Sequence, residues 1–272
     1  MRAALALCCL FLACPALAAD PVMERVNKTQ VLRCGWVSHF PSSTKNPDTD
    51  ALEGYVVDLM EEAGRRMGLA VDWAHETNWP LVAADLQAGK CDVACATFWS
   101  NPLAARHMLA TRPFLYQPLF FVVRAGDTRL DAGLAAANDP AFTVAVLEGD
   151  APQDVLRVSY PRARVHALPP SAEFDQLFQE VASGKADATL AAAPETGPFL
   201  KSHPGVLKIV AARPVRVYAN ALQLPQGAVD LKNALDVTLR EMEMDGTTAA
   251  ILARYAQGPH DYRLPAKPYH AE

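Results

Sequence analysis

The side chains of this chain best suited to covalent or metal chemistry are few and poorly spaced for it. Of six cysteines, Cys8, Cys9 and Cys14 lie in the N-terminal apolar stretch, leaving Cys34, Cys91 and Cys95. Cys91 and Cys95 fall on a stretch that reads as a strand, about 13 Å apart at strand rise and beyond disulfide reach. Cys34 could meet Cys95 only if their strands are neighbours. The reading favoured is three buried thiols acting as small apolar side chains. The seven histidines are scattered, and no Cys/His spacing resembles a zinc site. Gly-x-Ser-x-Gly, paired metal-binding histidines and a phosphate-cradling glycine loop are all absent, so neither metal nor cofactor is expected. What stands out instead is an aromatic pair, Phe98-Trp99, directly after an apolar segment. Such residues either belong to the core or line an apolar pocket that needs only a few polar anchors to hold a small molecule.

The N-terminus points to export. Met1-Arg2 is a short positive region, Ala3 to Ala13 is apolar, and Pro15-Ala16-Leu17-Ala18 ends in a small-x-small pattern. Residues 1–18 therefore read as a signal peptide cleaved after Ala18, too short to span a bilayer comfortably. An uncleaved anchor and a lipoprotein acylated on Cys14 are the alternatives, and Phe11-Leu12-Ala13-Cys14 is a poor version of the latter pattern. The chain is expected to be periplasmic and soluble, with about 254 residues remaining, enough for two lobes. Its formal net charge of −5, with 20% charged and 51% hydrophobic residues, argues against nucleic acid, which demands a basic footprint.

Hydrophobic periodicity supplies the elements that must position the pocket. Val31 to Trp36 reads as a short strand ending at Gly35, followed by a polar loop from Pro41 to Asp50. Over Tyr55 to Met67, the residues Val56, Val57, Met60, Ala63 and Met67 recur at helical spacing, and Gly68 stops the helix. Then come a strand (Leu69 to Trp73), a helix (Trp79 to Ala88, stopped by Gly89) and a strand (Asp92 to Thr97). After a strand from Leu119 to Arg124 the alternation restarts. Strands are expected at Phe142 to Leu147, Ala163 to Leu168 and Ala186 to Ala192, with helices at Ala151 to Tyr160 and Ala172 to Ser183. A strand (Val215 to Leu222) and helices at Val229 to Met242 and Thr247 to Tyr255 close the chain. Two similar α/β halves result, each a parallel sheet with crossover helices.

Five segments, in order, carry a resemblance to a known family. They are Val31-Leu32-Arg33-Cys34-Gly35 with Phe40-Pro41; Glu53-Gly54-Tyr55-Val56-Val57-Asp58-Leu59; Leu86, Gly89, Lys90 and Asp92; Ser183-Gly184-Lys185-Ala186-Asp187-Ala188; and Met244-Asp245-Gly246-Thr247 running into Ile251 and Tyr255. Together they resemble the type II periplasmic binding proteins of the amino-acid-binding kind, bacterial extracellular solute-binding protein family 3. The resemblance implies a two-lobed α/β fold, each lobe a mostly parallel sheet flanked by helices, with the chain crossing twice at a hinge. Lobe 1 would comprise 22–118 and 222–272, and lobe 2 would comprise 119–221. The ligand would sit beyond the carboxyl ends of the strands, among the loops after Gly35, Thr97, Leu147 and Ala192. The implied function is non-catalytic: a monomeric clamp closes on a small, carboxylate-bearing solute and delivers it to an inner-membrane ABC permease.

Onto that family pattern, Phe40 matches an aromatic stacked on ligand and Trp79 a second wall position. Thr97, Phe98 and Trp99 follow the third strand. Arg106 is the expected carboxylate anchor, a planar fork suited to two parallel hydrogen bonds; the preceding loop is about two residues longer than usual, which makes Arg112 a competitor. Where amino-acid binders place an ammonium-binding Asp, this chain has Ala192, and Gly149-Asp150-Ala151 replaces a hydroxyl-bearing loop. Asp150 and Glu195 are the polar contacts left to lobe 2. Two rival functions follow. Cyclohexadienyl dehydratases of this fold use a glutamate near the place of Glu195 as general acid, and an accessory or sensory clamp would dock on a protein partner through the same closure.

Overall fold

The computed structural model describes residues 20–100, 102, 104–210, 213–256, 258 and 261–266; the expected signal peptide, 1–18, lies outside them. The first run of elements is α1 (Pro21–Thr29), β1 (Val31–Trp36), the short pair β2 (Thr44–Lys45) and β3 (Leu52–Glu53), α2 (Tyr55–Met67), β4 (Ala70–Glu76), α3 (Val82–Gln87) and β5 (Val93–Trp99). After β6 (Met108–Ala110) and β7 (Leu115–Arg124) come β8 (Thr143–Leu147), α4 (Ala151–Ser159), β9 (Arg164–Leu168), α5 (Phe174–Ala182), β10 (Ala188–Ala192) and α6 (Ala193–Ser202). The chain continues through β11 (Leu207–Ile209), β12 (Arg216–Pro225), α7 (Val229–Met244) and α8 (Thr247–Tyr255).

The main sheet runs β4-β1-β5-β12-β7-β10-β8-β9. Its two ends are parallel trios of the same internal order, β4-β1-β5 and β9-β8-β10. Between them β12 and β7 pair antiparallel, with Arg216 opposite Leu119 and Asn220 opposite Leu115. Each of these long strands serves two cores. Leu115, Leu222 and Leu224 pack with Leu32, Met60, Leu235 and Met242; Leu119, Phe121 and Tyr218 pack with Val144, Val146 and Leu190. A third cluster covers the other face of β8 and β10 with Leu177, Phe178 and Phe199.

The expected helix over Tyr55–Met67 forms with its apolar face buried, each large side chain contributing about 1.5–3 kcal/mol. Gly54 is required at its start, since a Cβ there would meet the Ser42 carbonyl oxygen at 2.2 Å. The two glycine-aspartate segments recognised in sequence do equivalent work. The Asp92 carboxylate accepts the Arg33 amide at 2.8 Å and pairs with Arg25 and Arg33. Asp187 accepts the Thr143 amide at 2.8 Å and pairs with Arg124 and Arg129. Each carboxylate thus ties the start of the first strand of its trio to the start of the third. Nearby, Lys90 and His75 hold Asp85, as Lys185 and His166 hold Glu180.

Three features depart from the sequence reading. Cys34 and Cys95 form a disulfide with Cα atoms 5.4 Å apart, because β1 and β5 are neighbours with Cys34 opposite Val93; Cys91 alone stays a free, buried thiol among the described residues. The helix α1 precedes the first expected strand, tied down by Asp20, which accepts the Val22 and Met23 amides and, on its other oxygen, those of Asp230 and Leu231. Residues Ala193–Ser202 are helical although they hold Pro194 and Pro198. Pro194 lies in the first turn, where its missing N–H costs nothing. Among the described residues no helix is long and apolar enough to cross a membrane.

Candidate functional site

Beyond the carboxyl ends of β1, β5, β8 and β10 lies a cavity of about 500 Å³, where open α/β sheets bind ligands. One side is built from His39 in the loop after β1, Trp79 before α3, and Thr97, Phe98 and Trp99 at the end of β5. The other comes from Glu148 and Asp150 between β8 and α4, Phe174 opening α5, and Glu195 in the first turn of α6. Gln117 and Leu119 of β7 contribute to the wall as well.

The aromatics interlock. Phe98 meets Trp79 edge-on at 5.0 Å, and His39 packs against Trp79 at 5.7 Å and Phe174 at 5.6 Å. On the far edge Trp99 stacks on Tyr218 at 4.0 Å with rings 3° apart, and its indole N–H donates to Gln117 Oε1 at 3.2 Å. Such pairs add about 0.5–1.5 kcal/mol each beyond burial and hold the wall in one shape.

The polar groups are positioned by the ends of helices. Asp150 caps α4, its carboxylate accepting the Ala151 amide at 2.7 Å. Burial pushes the Asp150 carboxyl above its usual range; the Ala151 hydrogen bond opposes this and the charge of Glu195 adds to it. Glu195 Oε2 accepts the Ala192 amide at 3.3 Å and Oε1 lies 3.3 Å from His39 Nε2, with the Glu195 side chain only 8% exposed. Through that contact the loop after β1 meets the first turn of α6 across the cavity.

Of the residues singled out in sequence, the cavity brings together Trp79, Thr97, Phe98, Trp99, Asp150 and Glu195. Phe40 and Arg106 are not in its wall. Phe40 is 47% exposed; His39, bridged to Ser43 in a tight turn, faces the cavity while its neighbour turns outward. Arg106 ends a one-turn 3₁₀ helix and is exposed. Arg112 is occupied elsewhere, by Glu243 through its guanidinium and Asp236 through its amide. Sequence reasoning missed His39, Glu148, Gln117 and Phe174. Adjacency to Phe40 could have flagged His39, whereas nothing local marks Phe174.

A mostly parallel trio at each end, two long antiparallel strands between them and a cavity at the strand ends define the type II periplasmic binding protein fold. The chain belongs to the bacterial extracellular solute-binding proteins, family 3, whose model matches residues 32–258. It is similar to the cyclohexadienyl dehydratase of Pseudomonas aeruginosa, with 22% identity over 89% of each chain. The structure resembles that of an ancestral amino-acid-binding protein described as a precursor of cyclohexadienyl dehydratase, with a TM-score of 0.73, 21% identity, and coverage of 87% of this chain and 99% of that one. It likewise resembles an amino acid ABC transporter substrate-binding protein from Streptococcus pneumoniae bound to L-arginine, with a TM-score of 0.70, 18% identity, and coverage of 86% and 97%.

Proposed function

We propose that this protein is a periplasmic solute trap. Its two lobes, 22–118 with 222–272 and 119–221, close on a small molecule through a hinge in β7 and β12, and the loaded clamp serves an inner-membrane ABC permease. The observation that carries this reading is the cavity walled by residues from both parallel trios, crossed by the His39–Glu195 contact. The S. pneumoniae relative supports the transport role. A disulfide supports an oxidising compartment such as the periplasm, and the leader supports export. Solution X-ray scattering with a thermal-shift solute panel tests it. A solute at 100 times its dissociation constant stabilises by about 2.7 kcal/mol and should shrink the radius of gyration; a stabilising ligand that leaves the radius unchanged would count against closure.

A second reading is favoured by Glu195 itself, a nearly buried carboxyl group in the cleft of a chain related to cyclohexadienyl dehydratase. In a dehydratase, Glu195 would protonate a leaving hydroxyl. Turnover of arogenate or prephenate that disappears in Glu195→Gln would replace the trap by an enzyme.

A further inference from the structure

The walls of the cavity suggest what occupies it, given that the protein is a solute trap. Among the described lining side chains three are carboxylates, Glu148, Asp150 and Glu195, and the single group able to carry positive charge, His39, already faces Glu195 at 3.3 Å. Neither arginine considered for a ligand carboxylate is in the wall: Arg106 is exposed on its turn and Arg112 is held by Glu243. A ligand carboxylate placed here would meet no guanidinium among the described lining residues and would sit beside like charges. A cation would meet the opposite surroundings. Among the described residues Asp150 is partly buried and forms no ion pair, and Trp79, Phe98, Trp99 and Phe174 line the wall, where aromatic rings attract a cation and cover an apolar body.

We infer that the solute is a small organic cation, an amine or guanidinium on an apolar body, recognised without a carboxylate anchor. The carboxylates neutralise its head, the aromatic walls enclose its chain, and the contact between His39 and Glu195 is the one it competes with or completes. The tight ring packing favours an unbranched chain over a bulky one.

Isothermal titration of the exported protein with agmatine against arginine, and with cadaverine against lysine, tests this directly, because each pair differs only in the α-carboxylate. Glutarate serves as the anionic control. The amines should bind at least tenfold more tightly than their amino acids. Asp150→Asn keeps a side chain able to cap α4 and should weaken amine binding tenfold or more. Glu148→Gln, at an exposed position, should weaken it in the same direction. An amino acid or glutarate binding as tightly as the amines, or more so, would overturn the cation assignment while leaving the solute trap in place. Silence from every compound, with the protein folded by thermal melting, would overturn the cation assignment and remove the support for solute capture.

Discussion

Glu195 is engaged on both oxygens, by the Ala192 amide and by His39. A glutamine there keeps the shape and can still accept from the Ala192 amide, so Glu195→Gln should change thermal stability little. It removes a charge from a nearly buried position, and affinity for a cationic solute should fall about tenfold, or ~1.4 kcal/mol. Titration calorimetry beside a melting curve separates the two effects. Trp79 is a cleaner probe of the wall, because it is 40% exposed yet meets both Phe98 and His39. Trp79→Ala should cost solute affinity by ~1–2 kcal/mol from lost ring contact, with the fold retained. Full affinity in Trp79→Ala would mean that the ring shields the rim and does not touch ligand.

Between elements, the paired carboxylates Asp92 and Asp187 fasten the strand trios at equivalent places, but they are not equally enclosed. The Asp92 side chain is 1% exposed and Asp187 is 20% exposed. Asp92→Ala leaves the Arg33 amide unpaired and takes the shared carboxylate from the partly exposed Arg25 and Arg33 guanidiniums, and should destabilise by about 1–3 kcal/mol; Asp187→Ala should cost less. Urea titration of both variants gives the ranking. The neighbouring pair Asp85 and Glu180 ties stability to pH. Lys90, Thr77 and His75 hold the Asp85 carboxyl well below the usual carboxylate range; Lys185, then His166, lowers that of Glu180. A carboxylate lowered by folding stabilises fully above its unfolded value, near pH 4, and loses that contribution as pH falls. The melting temperature of Asp85→Asn should therefore lie below that of the parent at neutral pH, with the gap narrowing below about pH 4.

At the scale of the whole molecule, the Cys34–Cys95 disulfide closes a loop of sequence separation 61 across two neighbouring strands of the first trio. Loop-closure entropy assigns it about 4 kcal/mol. The double replacement Cys34→Ser with Cys95→Ser should lower stability by an amount of that order in urea titration, and reductant should do the same to the parent. Equal stability with and without the bond would show that packing of β1 against β5 already fixes the pair. The two long strands β7 and β12 feed both cores, so the hinge proposed there would bend the passage between cores and leave each core intact.

Local pattern carried most of the architecture. Apolar spacing with a glycine stop marks α2 from Tyr55 to Gly68, and the Gly89–Asp92 and Gly184–Asp187 segments mark the repeat that places two parallel trios in one chain. Much of the cavity was legible too, since Thr97, Phe98, Trp99, Asp150 and Glu195 all sit where a strand gives way to a loop or helix. What the sequence alone could not decide depends on pairing between distant segments. Whether Cys34 meets Cys95 is set by which strands are neighbours, and α6 forms despite its two prolines because it packs on β7, β10 and β11. Whether an arginine reaches the cavity depends on where its turn leaves it, exposed in the case of Arg106, and on a competing carboxylate, Glu243, contributed from far along the chain to Arg112. Side-chain type is written in the sequence, but the direction in which Phe40, His39 and Arg106 point is fixed only when the surrounding backbone is in place.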